Sequence, residues 1–396
     1  MEMQYRPYGK TGVMVSALGF GTMRLPQKED GTCDYERAIP LLRRGLDLGI
    51  NYIDSAWGYL RGTSDVVMGK AIKDYDREKI YLATKIPVDT EEQAKADSWW
   101  KRLEVCLERA DCEWIDFLYF HSLTWDHFQE WVALPGGALE AAHRALAQGL
   151  IHHLCFSSHD KPENIRKLID TEEFAGMLVQ YNLLDRSNEE IISYAHDKGL
   201  GVVIMGPVGG GRLGVSSPEI QRMIPGGVKS TPEIALRFVL ANPAVSVALS
   251  GMNELKQIEE NVATASREET LSAEELAQIK AALEENERLA ELYCTGCGYC
   301  MPCPNGVDIP ENFRLMNYHR IYGLTEYARR RYAQLGQRKN AEGEIQPAWA
   351  AACVECGQCQ SKCPQNIPII EQLRETDSIL GGGGVTDSVI KRLHCN

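Results

Sequence analysis

Eight short apolar runs, separated by amphipathic stretches, recur between residues 17 and 250 and restrict this chain to few folds. They are Ala17–Thr22, Tyr52–Ser55, Ile80–Ile86, Ile115–His121, His153–Ser157, Met177–Tyr181, Gly201–Met205 and Val245–Ser250. Each is rich in β-branched or aromatic residues, as strands of a parallel sheet covered on both faces tend to be. Segments such as Tyr35–Leu48, Glu92–Ala110, Leu139–Gln148 and Thr231–Leu240 carry the helical period between them. Eight such units predict an α/β chain forming a (β/α)8 TIM barrel rather than an open doubly wound sheet. Ahead of them, Gly9-Lys-Thr-Gly12 between Gln4–Tyr8 and Val13–Ser16 predicts a hairpin that could plug the N-terminal end of the barrel.

The cysteines define a second region. Cys33, Cys106, Cys112 and Cys155 are scattered and read as small core hydrophobes. The others, apart from Cys395, form two runs: Cys294-x2-Cys297-x2-Cys300-x2-Cys303-Pro304 and Cys353-x2-Cys356-x2-Cys359-x3-Cys363-Pro364. Two-residue spacing lets successive thiolates converge on one 4Fe–4S cubane, and in two-cluster ferredoxins the fourth cysteine ligates the other cluster. One cluster would then take Cys294, Cys297, Cys300 and Cys363, the other Cys353, Cys356, Cys359 and Cys303. The first run has one residue fewer before its last cysteine than the ferredoxin pattern. Two zinc sites are the competing reading, since CxxC pairs also bind zinc, but four cysteines in one run ending in Cys-Pro suit a cluster better. The intervening helical pattern, Glu311–Gln334, predicts a small, mainly helical ferredoxin-like domain.

Expected boundaries are a barrel over 1–270, a linking helix over 271–292 and the two-cluster domain over 293–396. Ser272 and Glu275 form a capping-box pattern at the start of the linker, and Gly381–Gly384 is a break before a short tail. At 396 residues the chain suits a barrel of roughly 250 residues plus a smaller partner. With 44% hydrophobic and 24% charged residues it can bury a large core. A net charge of -13 disfavours nucleic acid as a partner. No apolar run approaches the roughly 20 residues of a membrane span, and the first residues lack the apolar core of a signal peptide. The expected location is therefore cytoplasmic, where disulfides are rare and cysteines favour metals. Residues 254–291 carry eleven acids against four bases, and 311–340 seven bases against two acids. These are solvated helix faces or a docking surface for an acidic carrier.

Four residues stand at or just beyond the C-terminal ends of predicted strands, where barrel active sites are built. Asp54 and Tyr59 lie in Asp54-Ser-Ala-Trp-Gly-Tyr59, with Gly69-Lys-Ala following; Lys85 ends Ala83-Thr-Lys85; His121 ends Asp116-Phe-Leu-Tyr-Phe-His121. Over roughly residues 3–265 these motifs resemble the aldo-keto reductase family. The resemblance implies that Asp54, Tyr59, Lys85 and His121 are catalytic in NAD(P)H-linked reduction of a carbonyl, or oxidation of an alcohol. The residue types suit that chemistry. Reduction puts a hydride on carbon and a proton on oxygen, and free tyrosine is a poor acid at pH 7. A neighbouring Lys85 ammonium would favour the tyrosinate, Asp54 would hold Lys85 charged, and His121 could orient the carbonyl oxygen.

The resemblance further implies that Ser157, Ser158, Gln180 and Asn182 bind the nicotinamide amide, Ser158 standing where the family often has Asn. Gly206, Pro207 and Gly209, after the seventh strand, are placed for the coenzyme diphosphate, since glycine lets backbone approach it. Gly251, Gln257, Glu260 and Asn261 match the adenosine-binding segment. Met205 replaces the aromatic that usually stacks on nicotinamide, and reads equally well as core packing. Gln257, with Lys256 beside it, replaces the basic residue that usually holds the 2′-phosphate, so NADP and NAD both stay open. A flavin would also have room, though no motif indicates one.

Three functions compete. The first is a carbonyl-reducing enzyme whose clusters serve structure or sensing. The second is an electron-transfer oxidoreductase coupling the clusters to a nicotinamide or flavin in the barrel, with a ferredoxin or flavoprotein partner. The third is a non-catalytic redox sensor, against which the intact set of four counts. Trp57, Trp125 and His127 are candidates for the substrate mouth or for packing.

Overall fold

The computed structural model describes residues 2–214, 217–223, 230–268, 271–291, 294, 298–340, 343–363 and 367–381. Strands β1 (Tyr5–Pro7) and β2 (Met14–Ser16) pair antiparallel. Strands β3 (Leu18–Gly21), β4 (Tyr52–Asp54), β5 (Tyr81–Pro87), β6 (Ile115–His121), β7 (Ile151–Ser157), β8 (Gly176–Gln180), β9 (Gly201–Met205) and β10 (Val247–Ser250) form a closed barrel in chain order. Its neighbours are all parallel, β10 closing onto β3. This is the TIM barrel that the eight apolar runs predict.

Most expected boundaries shift by a residue or two, the pattern Glu311–Gln334 is two helices, Ile309–Arg320 and Thr325–Leu335, and two of the shifts have a plain physical reason. Strand β7 starts at Ile151, where it pairs with Ile115, and the polar pair His152-His153 masks that start in the sequence. The helix expected from Glu92 starts at Ala96, because Ala94 N–H closes a turn onto the Thr90 carbonyl and Lys95 is extended.

Strand alternation decides what fills the barrel. Tyr52, Ala83, Phe117, Tyr119, Cys155, Leu178, Val203 and Val247 share one buried core with Tyr8 from the hairpin. Tyr8 and Tyr52 hydroxyls lie 2.6 and 2.8 Å from that of Tyr119, so the phenols satisfy one another inside a fully buried layer. Gly9, at φ +52, packs its backbone onto Gly199–Gly201, where any Cβ would collide within 2.3 Å. The hairpin therefore seats Tyr8 against the first residues of β8 and β9. Two residues beyond this layer, on the same strand faces, come Asp54, Lys85, His121, Ser157, Gln180 and Met205. The period of two thus lifts the candidate site to the C-terminal end.

The chain divides into two compact units, one of residues 1–211 and 235–271, the other of residues 212–234 and 272–396. In the second, helix Ala273–Glu291 opens on a reciprocal capping box: Ser272 N–H donates to Glu275 Oε2 (2.8 Å) and Glu275 N–H to Ser272 Oγ (3.1 Å). Helices Ile309–Arg320, Thr325–Leu335 and Ile369–Thr376 bury Phe313, Leu315, Met316, Tyr332 and Leu373. Tyr332 donates to Asp377 at 2.7 Å and accepts from Ala351 N–H at 3.1 Å. Among the described residues no helix is long and apolar enough to cross a membrane.

Candidate active site and cluster centre

Asp54 ends β4 and Lys85 lies in β5, paired strands whose register brings both side chains to the same end of the barrel. Lys85 Nζ donates to Asp54 Oδ1 at 2.6 Å, to Oδ2 at 2.7 Å and to the Ser55 carbonyl at 2.6 Å. Burial would pull the Lys85 ammonium down, but the Asp54 carboxylate and then the Tyr59 phenol outweigh it and raise it above the usual lysine range. Burial pushes Asp54 up, and Lys85 offsets part of that. The short bidentate contact makes the ion pair the state that fits this geometry.

Tyr59 opens a tight turn in which Leu60 and Arg61 both adopt left-handed backbone, at φ 50 and 53. Such conformations cost roughly 1–3 kcal/mol each and cluster at functional sites. The turn lays the Tyr59 ring 5.0 Å from Lys85 Nζ and edge-on to His121, with ring centroids 6.0 Å apart. Burial, then the Lys85 ammonium, pulls His121 down to about 4, so its imidazole is neutral near pH 7. The four residues that the sequence singles out are thus brought together.

The remaining candidates separate into engaged and available groups. Ser158 donates to the Leu123 carbonyl at 2.7 Å and accepts from Asp160 N–H at 3.1 Å. Asn182 spans Gly206 O (3.1 Å) and Leu184 N–H (2.9 Å). Both brace loops at the mouth of the barrel. Ser157 Oγ accepts from Ser122 N–H at 2.9 Å, beside His121. Met205 packs against the barrel core. The Gln180 amide lies against Gly206, where a Cβ would come within 2.8 Å of it; Gly206 (φ +64) and Gly209 (φ +60) need the left-handed region that glycine tolerates. Pro207 between them is buried. Gln257 Oε1 accepts from Asn253 N–H at 3.0 Å, Glu260 is 3.8 Å from Lys256, and Asn261 donates to Ser250 Oγ at 3.1 Å.

Trp57 lies with Arg102 and Arg109 each 5.5 Å from its ring, and its carbonyl accepts from Arg109 at 2.9 Å. That is a packing role. His127 stacks on Trp131 at 4.8 Å, and Trp125 on Phe128 at 5.8 Å. One cation escaped the sequence reading: exposed Arg24, whose stem lies across Gly251 at the junction of β3 and β10. Its position three residues past the end of β3 was the available signal. A glycine loop with left-handed backbone and an amide at its edge, together with Arg24 across Gly251, suits a dinucleotide bearing phosphates.

In the second unit Cys300, Cys303, Cys353, Cys356 and Cys359 line one concave site. Burial raises the Cys359 thiol, and the neighbouring Cys353, Cys303 and Cys356 thiols add to that. Glu355 N–H donates to Cys353 Sγ at 3.4 Å. Gly298 and Gly357 follow the second cysteine of each run with φ +79 and +78, the same backbone device used twice. Among the described residues no three His, Cys, Asp or Glu side chains come close enough to hold a single metal ion. Thiols gathered in one concave site suit an iron–sulfur cluster. Cys294 and Cys363 are half-buried, and Cys297 lies outside the described residues. Arg329 and Arg331, from the basic stretch, donate to Ile379 O and Gln334 at 3.2 and 2.9 Å.

Comparison with known proteins agrees with this geometry. A model of the aldo/keto reductase family matches residues 17–284, and one of a 4Fe-4S dicluster domain matches residues 293–367. L-galactose dehydrogenase of Arabidopsis thaliana is 26% identical over 73% of this chain and 97% of its own length. The NADH-specific methylglyoxal reductase of Escherichia coli is 23% identical over 66% of this chain and 93% of its own. The holo form of an aldo-keto reductase from Bacillus halodurans superposes with a TM-score of 0.60 at 26% identity, covering 71% of this chain and 96% of that one.

Proposed function

The chain belongs to the aldo/keto reductase family and carries a C-terminal 4Fe-4S dicluster domain, and from that premise we propose that it is an NAD(P)H-linked oxidoreductase reducing a small-molecule carbonyl, or oxidising the alcohol in reverse. The observation that carries this reading is the buried Lys85–Asp54 pair beside Tyr59 and a neutral His121. When bound, the nicotinamide coenzyme supplies the hydride. Tyr59 gives its hydroxyl proton to the carbonyl oxygen. Lys85 stabilises the phenolate that remains, and Asp54 keeps Lys85 charged and in place. Neutral His121 donates one N–H to the same oxygen and orients it. In the oxidising direction the Tyr59 phenolate receives the alcohol proton.

Gly206, Pro207 and Gly209 would receive the diphosphate, and Gly251, with Arg24 across it, the adenosine end. Gln180 and Ser157 would meet the nicotinamide amide, Ser158 and Asn182 support them from behind, and Met205 closes the floor. Gln257, Glu260 and Asn261 would flank the adenosine. Cys303, Cys353, Cys356 and Cys359 would hold one cluster and Cys294, Cys297, Cys300 and Cys363 the other. We assign both clusters a structural role, because the second unit is small and ligation ties together runs about 50 residues apart. Thiolate ligands of this kind suit the reducing cytoplasm.

Anaerobic incubation with NADPH or NADH and a panel of aldehydes and ketones tests the reading. Loss of reduced coenzyme matched by alcohol formation supports it; no coenzyme oxidation with any carbonyl defeats it.

A further inference from the structure

Behind the ion pair, on the outer face of β4 and β5, lies a second carboxylate that the mechanism above does not use. Asp65, in helix Ser64–Ile72, is fully buried. Its Oδ1 accepts from Thr84 Oγ1 at 2.8 Å, and its Oδ2 has no hydrogen-bond partner. Thr84 immediately precedes Lys85, so alternation turns Thr84 outward as Lys85 turns inward. The same holds one strand away. Ser55 follows Asp54 and donates its hydroxyl at 2.8 Å to Ser64, the residue before Asp65. Ser64 in turn donates to the Ala56 carbonyl at 3.1 Å. The Ser55 carbonyl accepts from Lys85 Nζ, and Trp57 N–H donates to the Lys85 carbonyl at 2.9 Å. One short helical segment therefore grips the outward side of both residues next to the ion pair.

We infer that Asp65 is a positioning residue, which fixes the backbone that carries Lys85 and Asp54 and whose negative charge helps keep the Lys85 ammonium charged during proton transfer from Tyr59. The inference rests on the proposed reduction chemistry. Packing alone does not account for a carboxylate here, since burying an ionised group is costly unless its surroundings compensate the charge. Burial pushes Asp65 above the ordinary carboxylate range, while the Ser55 and Thr84 hydroxyls and then the Arg109 and Lys85 charges favour its ionised form; Asp54 beside Lys85 and the Cys106 thiol from helix Ala96–Ala110 also couple to it. Arg109 also donates to the Trp57 carbonyl, on the segment between Asp54 and Tyr59.

The test compares Asp65→Asn, Asp65→Glu and Thr84→Val with the wild-type chain and with Tyr59→Phe. The readouts are kcat against pH, coenzyme affinity, and the Lys85 ammonium titration by NMR of lysine-labelled protein. Asp65→Asn should lower kcat roughly ten- to hundred-fold, as small misplacements of catalytic groups do, with coenzyme affinity within two-fold. Its alkaline limb and the Lys85 titration should both move to lower pH, and Asp65→Glu should restore both. Thr84→Val should lower kcat while leaving the Lys85 titration in place. An unmoved Lys85 titration in Asp65→Asn, or failure of Asp65→Glu to restore it, overturns the inference. If Asp65→Asn does not fold, wild-type kcat in Thr84→Val overturns it instead. A wild-type chain inactive on every carbonyl would sink the proposed reaction and leave the Lys85 titration to judge Asp65 alone.

Discussion

Lys85 Nζ sits 2.6 and 2.7 Å from the two oxygens of Asp54, both residues almost wholly buried. Removing one member of such a pair leaves the other charge without compensation. Lys85→Met should therefore destabilise the barrel by roughly 3–5 kcal/mol as well as abolish turnover. Asp54→Asn with Lys85→Met together should recover much of that stability but no activity. Urea unfolding followed by tryptophan fluorescence measures the difference, and additive losses in the double variant would contradict the pairing.

His121 gives the acid side of the pH dependence. Its folded value of about 4 lies below the ordinary 6.5, so between those values only the unfolded chain takes up the proton. Stability should fall as pH drops from about 6.5 towards about 4, losing roughly 3 kcal/mol at most through this group. His153, also lowered by burial, adds in the same direction. His121→Gln should make the slope shallower by at most about one proton. An unchanged slope would mean that His121 is not buried in its neutral form.

Ser158 and Gln180 should part company. The Ser158 hydroxyl joins the Leu123 carbonyl to Asp160 N–H, so Ser158→Ala should cost roughly 1–3 kcal/mol of stability and leave coenzyme affinity within two-fold. Gln180→Ala should weaken coenzyme about ten-fold, the usual effect of losing one hydrogen bond to a ligand, with little effect on stability. Fluorescence titration with NADPH and NADH checks both, and the reverse pattern would exchange their roles.

The cluster assignment can be read from iron. Cys303→Ala with Cys356→Ala removes two ligands of the same concave site, so about four of eight irons should be lost and about half of the cluster absorbance. Residues 298–381 should then become sensitive to protease. Loss of nearly all the iron would show that those two cysteines serve different clusters. Full protease resistance with half the iron would contradict the structural role.

The barrel was legible because eight buried strands leave an unambiguous apolar record, and the cysteine runs because ligand spacing is dictated by the cubane. Asp54, Lys85 and His121 were legible for a related reason, since each lies at or near the C-terminal end of a strand. Met205 kept two readings in the sequence, and only its contact with the barrel core favours packing. Asp65 and Arg24 were not legible. Asp65 looks like an ordinary first-turn helix acid until helix Ser64–Ile72 packs against β5, and Arg24 looks like loop charge until β10 closes onto β3. Ser158 and Asn182 match ligand positions in sequence, and their hydrogen bonds to loop backbone are ones that strand patterns do not reveal. The grouping of residues 212–234 with the second unit likewise depends on contacts distant in the chain, such as Ser217 Oγ with the Tyr322 carbonyl at 2.7 Å.

The central claim is direct hydride transfer to a carbonyl with Tyr59 as proton donor. The most direct measurement uses reduced coenzyme deuterated at the nicotinamide C4 and analyses the alcohol by mass spectrometry, for wild type and Tyr59→Phe. Wild type should place deuterium on the former carbonyl carbon, and Tyr59→Phe should turn over roughly 10²–10⁴-fold more slowly with coenzyme affinity nearly unchanged. Alcohol formed without the label, its deuterium washed into solvent through an intermediate carrier, or near-normal turnover in Tyr59→Phe, would contradict it.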